Sequence, residues 1–146
     1  MTALFEHSPW VEARADARPS TGNRHHDLME VVYDATPAEK LALIRAHPEL
    51  AGKAAIDGSL TEASAAEQAS AGLDRLTPEE FERFHALNAA YRERFDFPFI
   101  ICVRLTDKAG ILAAMERRLD HDPATEIATA LREIGEIVRL RLEALS

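Results

Sequence analysis

A single cysteine, Cys102, serves the whole chain, which excludes an internal disulfide and any cluster of thiolates around a metal. Glycine and proline are scarce, 6 and 7 of 146 residues, so the chain is neither linker-rich nor disordered. No apolar run approaches the roughly 18–20 residues of a membrane span, and residues 1–10 show no basic stretch ahead of an apolar one. Neither a membrane segment nor a signal peptide is therefore expected. Basic residues are outnumbered, 17 against 25, and the net charge of −8 argues against non-specific nucleic-acid binding, which relies on cations that neutralise phosphates. The glycine motifs that cradle phosphates or dinucleotides are missing, as is any Ser-His-Asp signature. What is present, 47% hydrophobic residues in a chain near 150 long, predicts one cytoplasmic domain over residues 1–146 with a core that needs no staples.

Helix punctuation is dense. Ser8 and Pro9 offer an N-cap and a first-turn proline to a helix over 10–17. A loop at 18–23 leads to a second helix with Leu28, Val31, Val32 and Ala35 at helical spacing. Thr36-Pro37-Ala38-Glu39 is a capping box that opens a third, which must stop near His47 because Pro48 disfavours helical geometry in the residue before it. Residues 53–60 read as a connector. A fourth helix over 61–71 is closed by Gly72. Thr77-Pro78-Glu79-Glu80 opens a fifth, with Phe81, Phe84, Leu87 and Tyr91 on one side; Thr106-Asp107 precedes a sixth carrying Ile111, Leu112, Met115 and Leu119; and Asp122-Pro123 opens the last and longest. One segment breaks the rhythm. Residues 97–103 are aromatic and β-branched and contain Pro98; with no partner strand, they predict extended chain buried inside an all-α protein of about seven helices.

Residues that violate the pattern are the candidates for function. On the last helix Ile127, Leu131, Ile134 and Val138 form an apolar stripe, and its next step falls on Arg141. That arginine is either snorkelling at the edge of the core or presenting its rigid fork of donors to an anion or a planar polar group. On the fourth helix Ser64, Glu67, Gln68 and the small Ala71 share a face. Either that face meets water and Ser64-x-x-Glu67 is a capping box, or a ligand approaches three hydrogen-bonding groups there. His47 sits at a helix exit beside Pro48, either as a structural junction or as a group that titrates near neutrality. His25, His26 and Asp27 are a poor metal set, because neighbours on a helix diverge by about a third of a turn. His7, His85 and His121 read as surface residues. Cys102, in an apolar run, reads as an inert thiol.

Three stretches taken together resemble one known family. They are Arg45-Ala46-His47-Pro48-Glu49-Leu50-Ala51-Gly52, the run from Ser64 through Gln68 to Leu73, and Phe97-Pro98-Phe99-Ile100-Ile101-Cys102-Val103 followed by a long helix ending Arg139-Leu140-Arg141-Leu142. Their order and combination are similar to those of 2-oxo-4-hydroxy-4-carboxy-5-ureidoimidazoline (OHCU) decarboxylases, which make (S)-allantoin in urate degradation. The resemblance implies an all-α, cofactor-free, metal-free homodimer acting on a small molecule. It implies that His47 is the catalytic proton donor with Glu67 as a second catalytic residue, and that Arg141 is a key polar partner that binds the substrate. Pro48, Ser64, Ala65, Ala66, Glu67, Gln68, Phe99, Ile100, Ile101, Cys102 and Val103 become the substrate-contacting residues, the last five as a strand.

The substrate that this resemblance implies carries a carboxylate on a carbon next to a ring C=N. The electrons of the breaking C–C bond can move into that imine, so the molecule holds its own electron sink and needs none from a cofactor. The protein must then receive developing charge and protonate one face only. Two other readings stand beside this one: an enzyme for a related hydantoin or ureide, and a non-catalytic helical module in which Glu67 and Arg141 form a buried ion pair and His47 merely ends a helix.

Overall fold

The computed structural model describes residues 4–5, 7–47, 49–50 and 62–145, the side chains of Glu62 and Leu145 excepted. Among these residues there are seven α-helices and no strand: α1 (Trp10–Asp16), α2 (Arg24–Asp34), α3 (Pro37–Arg45), α4 (Glu62–Ser70), α5 (Pro78–Phe95), α6 (Lys108–Arg118) and α7 (Pro123–Leu145), with one 3-10 turn at Val103–Leu105. The expected connector at 53–60 lies outside the described residues.

Local chemistry explains most of the boundaries. Thr36 and Thr77 each accept from the backbone of Glu39 and Glu80, whose carboxylates return to the threonine N–H, closing a capping box at the start of α3 and of α5. Asn23, Asp107 and Asp122 cap α2, α6 and α7 through their side chains. The first helix differs from expectation: Pro9, not Ser8, is the N-cap residue, and no side chain bonds to the helix start. The helix α4 ends in a Schellman motif. The Leu73 N–H reaches the carbonyl of Gln68 and the Gly72 N–H that of Ala69, with Gly72 at a φ of +80° that a side chain would strain.

The long helix α7 is the spine, with α2 and α3 packed on it and α1 packed on α2. Its stripe of Leu131, Ile134 and Val138 is buried as the spacing predicts. Close approach of α2 is permitted at Gly135, where an added Cβ would stand 3.1 Å from the Met29 methyl; His25 Nε2 bonds to the Gly135 carbonyl at 2.9 Å. On α5 the buried stripe is Phe84, Asn88, Tyr91 and Phe95, so Phe81 falls on the wet edge, stacked on His85.

The segment after α5 enters the core as expected. Asp96 turns the chain in the left-handed region (φ 61°), after which Phe97, Phe99, Ile100 and Cys102 are all buried. Tyr91, Phe95, Phe97 and Phe99 form an aromatic cluster with centroids 4.6–5.9 Å apart. No strand ladder forms, and Val103 already belongs to the 3-10 turn.

Candidate active site

Two residues beyond the end of α3, His47 is half-buried with its backbone N–H on the Ile44 carbonyl at 3.2 Å. This exit is held from α5. Arg45 donates from Nε and Nη2 to the Asp96 carbonyl and carboxylate at 3.1 and 3.0 Å. Asn88 Nδ2 donates to the Leu50 carbonyl at 2.9 Å, and Arg92, one turn further on, pairs with Glu49 at 2.8 Å. Pro48 lies outside the described residues.

On α4 the inward face is the polar one. Ser64 and Gln68 are buried and Ala71 packs into the core, because positions 64, 68 and 71 fall on one side of the helix. Ser64 is the third residue of α4 and so is not its N-cap. Ala65 and Ala66 point away and are exposed.

The buried seat on α7 is Arg141, 5% exposed. Its Nε and Nη2 donate to the two oxygens of Glu67 at 2.8 and 2.7 Å, and Nη1 donates to the Leu4 carbonyl at 3.1 Å. The guanidinium is therefore neither snorkelling nor waiting for an anion. Its fork clasps a carboxylate 74 residues away in sequence. The pair is neutral as a whole, and each carboxylate oxygen keeps a second lone pair.

The extended segment is fastened from behind by a second buried pair. Arg118 Nη1 donates to the Ile100 carbonyl at 2.7 Å and Arg118 Nε to Glu126 at 2.9 Å. Glu126 also accepts from Tyr91 at 2.5 Å and meets His121 Nδ1 at 2.8 Å. Burial and the hydrogen bond to Glu126 push the Tyr91 phenol well above its usual range. The guanidinium carbon of Arg118 lies 4.3 Å from the Phe99 ring centroid. Glu133 accepts the Cys102 N–H at 3.0 Å. His121 is thus tied into the interior rather than being an ordinary surface histidine.

These elements line a cavity open to solvent, with about 470 Å³ of empty space when the solvent at its mouth is included. His47 and Leu50 line it from one side, Ser64, Glu67 and Gln68 from α4, and Ile137 and Arg141 from α7. Ile100, Ile101, Cys102, Val103 and Arg104 close the remaining wall. A wider pocket of about 790 Å³ adjoins it, sharing Glu67, Arg104 and Arg141 and bordered by Ala63, Ala66, Ser70 and Ala144. Of the residues expected at the site, Ala65 does not line either space, Ala66 borders only the outer one, and Phe99 lies behind the wall against Tyr91. Among the described residues, no group of three His, Cys, Asp or Glu side chains is placed to hold a metal.

Sequence reasoning missed Arg104, Ile137 and the fastening pair Arg118–Glu126. Arg104 adjoins the run 97–103. Arg118 follows Ile111 and Met115 on the buried side of α6, the same signature of a cation on an apolar stripe that singles out Arg141.

Burial pushes the Cys102 thiol up to about 11. The native protein is accordingly expected to react slowly, if at all, with a thiol-specific disulfide reagent at pH 8, and fully once unfolded in guanidinium. Immediate stoichiometric reaction of the native protein would show an accessible thiolate instead.

The sequence model of the OHCU decarboxylase family matches residues 1–143. A 2-oxo-4-hydroxy-4-carboxy-5-ureidoimidazoline decarboxylase of Haloferax volcanii is 46% identical over 142 residues, 95% of this chain and 82% of the relative. One of Amia calva is 41% identical over 145 residues, 96% and 82% of the two chains. Among solved structures, one of (S)-allantoin synthase superposes with a TM-score of 0.70 at 31% identity, covering 97% of this chain and 46% of that one. An OHCU decarboxylase structure determined in the presence of (S)-allantoin is alike in fold, with a TM-score of 0.74 at 19% identity over 97% and 93%.

Proposed function

This chain belongs to the OHCU decarboxylase family, and we propose that it converts OHCU to (S)-allantoin in urate degradation, without a cofactor and with His47 as the proton donor. The observation that carries the reading is convergence. His47, Glu67 and Arg141 come from three distant stretches of chain and line one cavity.

The proposed sequence of events follows from the substrate. The bond to the carboxylate breaks and CO₂ leaves. The electron pair moves into the neighbouring C=N, whose nitrogen takes up a proton, and the hydroxyl-bearing carbon becomes an enol. Collapse of the enol to a carbonyl releases the hydroxyl proton to water and sends the electron pair to the ureido-bearing carbon, which takes a proton from protonated His47 on one face; His47 regains its proton from water. Delivery from one side yields the S product, whereas solvent would protonate both. A positioned imidazole has the right acidity to donate near neutral pH.

Glu67, pinned by Arg141, is proposed to turn its remaining lone pairs toward the substrate's N–H groups. Ser64, Gln68 and the main-chain groups of Ile101 suit the amides of the hydantoin and ureido moieties, since the Ile100 carbonyl and the Cys102 N–H beside them are held by Arg118 and Glu133. Pro48 is proposed to shape the cavity beside His47. Arg141 acts in this account chiefly by fixing Glu67, with its edge on the cavity. Activity as one domain over 1–146, homodimeric assembly and a cytoplasmic location are further parts of the proposal, implied by the family resemblance. No helix among the described residues is long and apolar enough to cross a membrane.

The buried Glu67–Arg141 pair would serve a non-catalytic module equally well, but that reading leaves the cavity between His47, Ser64, Gln68 and the pair without a purpose. Circular dichroism decides between them. When freshly generated urate-oxidation product is supplied, the protein is expected to produce a growing allantoin signal of one sign. A trace no different from the protein-free control would reject the decarboxylase reading.

A further inference from the structure

Inside the cavity Arg141 and Glu67 are bound to each other, 5% and 14% exposed, so each offsets the other's charge toward a ligand, and the proton on His47 is reserved for transfer. A substrate bearing a carboxylate must also approach a protein of net charge −8, and long-range attraction cannot draw it in. An exposed cation at the entrance would supply the missing attraction without engaging His47 or the Glu67–Arg141 pair. Arg104 meets the description. It follows the cavity wall directly, on the Val103–Leu105 turn, and is solvent-exposed. It borders both the inner cavity and the outer pocket. Among the described residues no carboxylate pairs with its guanidinium, in contrast to Arg45, Arg92, Arg118 and Arg141.

We infer that Arg104 is the specificity-determining residue for the substrate's carboxylate, gripping it where the two pockets meet. The inference rests on the decarboxylase reading above and adds to it the group that distinguishes substrate from product. The position has a chemical logic. As CO₂ departs, negative charge leaves the carboxylate for the ring, so a cation gripping the carboxylate stabilises the ground state more than the transition state. A tight dry clamp there would slow the reaction. A guanidinium at a wet rim, where water weakens the attraction, captures the anion without holding it back. The product, neutral allantoin, has no carboxylate for Arg104 to hold and is released. The outer pocket's border of Ala63, Ala66 and Ala144 leaves room for the guanidinium to swing toward the cavity.

The test compares the parent with Arg104→Gln and Arg104→Lys, each checked for a native circular dichroism spectrum. Arg104→Gln is expected to raise KM for OHCU about ten-fold or more, the range for losing a charge-assisted hydrogen bond, while kcat changes much less. Arg104→Lys should recover part of the loss, because the charge remains and the fork is gone. The dissociation constant of (S)-allantoin, measured by calorimetry, should not change. Added salt should raise KM in the parent and have little effect on Arg104→Gln. An unaltered KM in a parent-like background of turnover would overturn the role of Arg104 alone. Equal weakening of OHCU and allantoin would overturn it too, by showing that Arg104 merely supports the pocket. Absence of turnover in the parent would instead remove the decarboxylase reading and this inference with it.

Discussion

Replacing His47 by Asn is expected to abolish enantioselective formation of allantoin while leaving the fold and most of the affinity for allantoin intact. The substrate can lose CO₂ unaided because its own imine accepts the electrons. What the variant lacks is a proton source fixed on one face. Product should therefore appear at the uncatalysed rate and as a racemate. A positioned general acid contributes on the order of 10²–10⁴-fold, and the enantiomeric excess should fall to zero. His47 lies beyond the last turn of α3 and is only half-buried, so its replacement removes little packing, and Tm should move by no more than a few degrees. Undiminished S product would reject the role of His47.

Replacing Arg118 by Met is expected to cost the most stability of any single change away from the cavity. The substitution leaves Glu126, whose side chain is completely buried, without its cation and leaves the Ile100 carbonyl without its donor. Breaking one half of a buried ion pair costs about 3–5 kcal/mol, a large share of the roughly 5–15 kcal/mol that hold a domain of this size. The single variant stands to lose its fold near body temperature. The double variant Arg118→Met, Glu126→Gln separates the causes, since neutralising both members of a buried pair is often tolerated. It should regain most of the stability yet show a raised KM, because the wall at 100–103 is no longer fastened from behind. Chemical denaturation of the three proteins measures the first effect and steady-state kinetics the second. A single variant as stable as the parent would contradict this view of the pair.

Legibility in the sequence followed the range of the interaction that decides each feature. Caps and stops are settled within a few residues, so Thr36 with Glu39, Thr77 with Glu80, Asp107, Asp122 and Gly72 marked helix ends correctly. The buried stripe of α7 was readable through Val138, and the intrusion of Arg141 into it was visible. The purpose of that intrusion was not. Whether the fork meets an anion or a carboxylate of the protein depends on Glu67, which only folding brings near. Phe81 was misplaced because the inward face of α5 contains polar Asn88, whose reason for burial is the Leu50 carbonyl 38 residues away. Arg118 and Glu126 escaped notice for a related reason. Each looks like a solvated charge until its partner is known. At the candidate site the contributing stretches were legible, but the inward-facing members were not all distinguished from their neighbours. Ala65 and Ala66 share the motif of Ser64 and Gln68 yet lie on the outer face of α4, and Phe99 faces the aromatic cluster rather than the cavity.

The central claim is that a ureide occupies the hollow between His47 and the Glu67–Arg141 pair. Following the imidazole resonances of the six histidines by NMR while (S)-allantoin is added tests it most directly. The account predicts a saturable shift that is largest at His47 and absent from a Glu67→Ala variant that remains folded. A titration that leaves His47 unmoved, or that moves His121 or His25 instead, would contradict it.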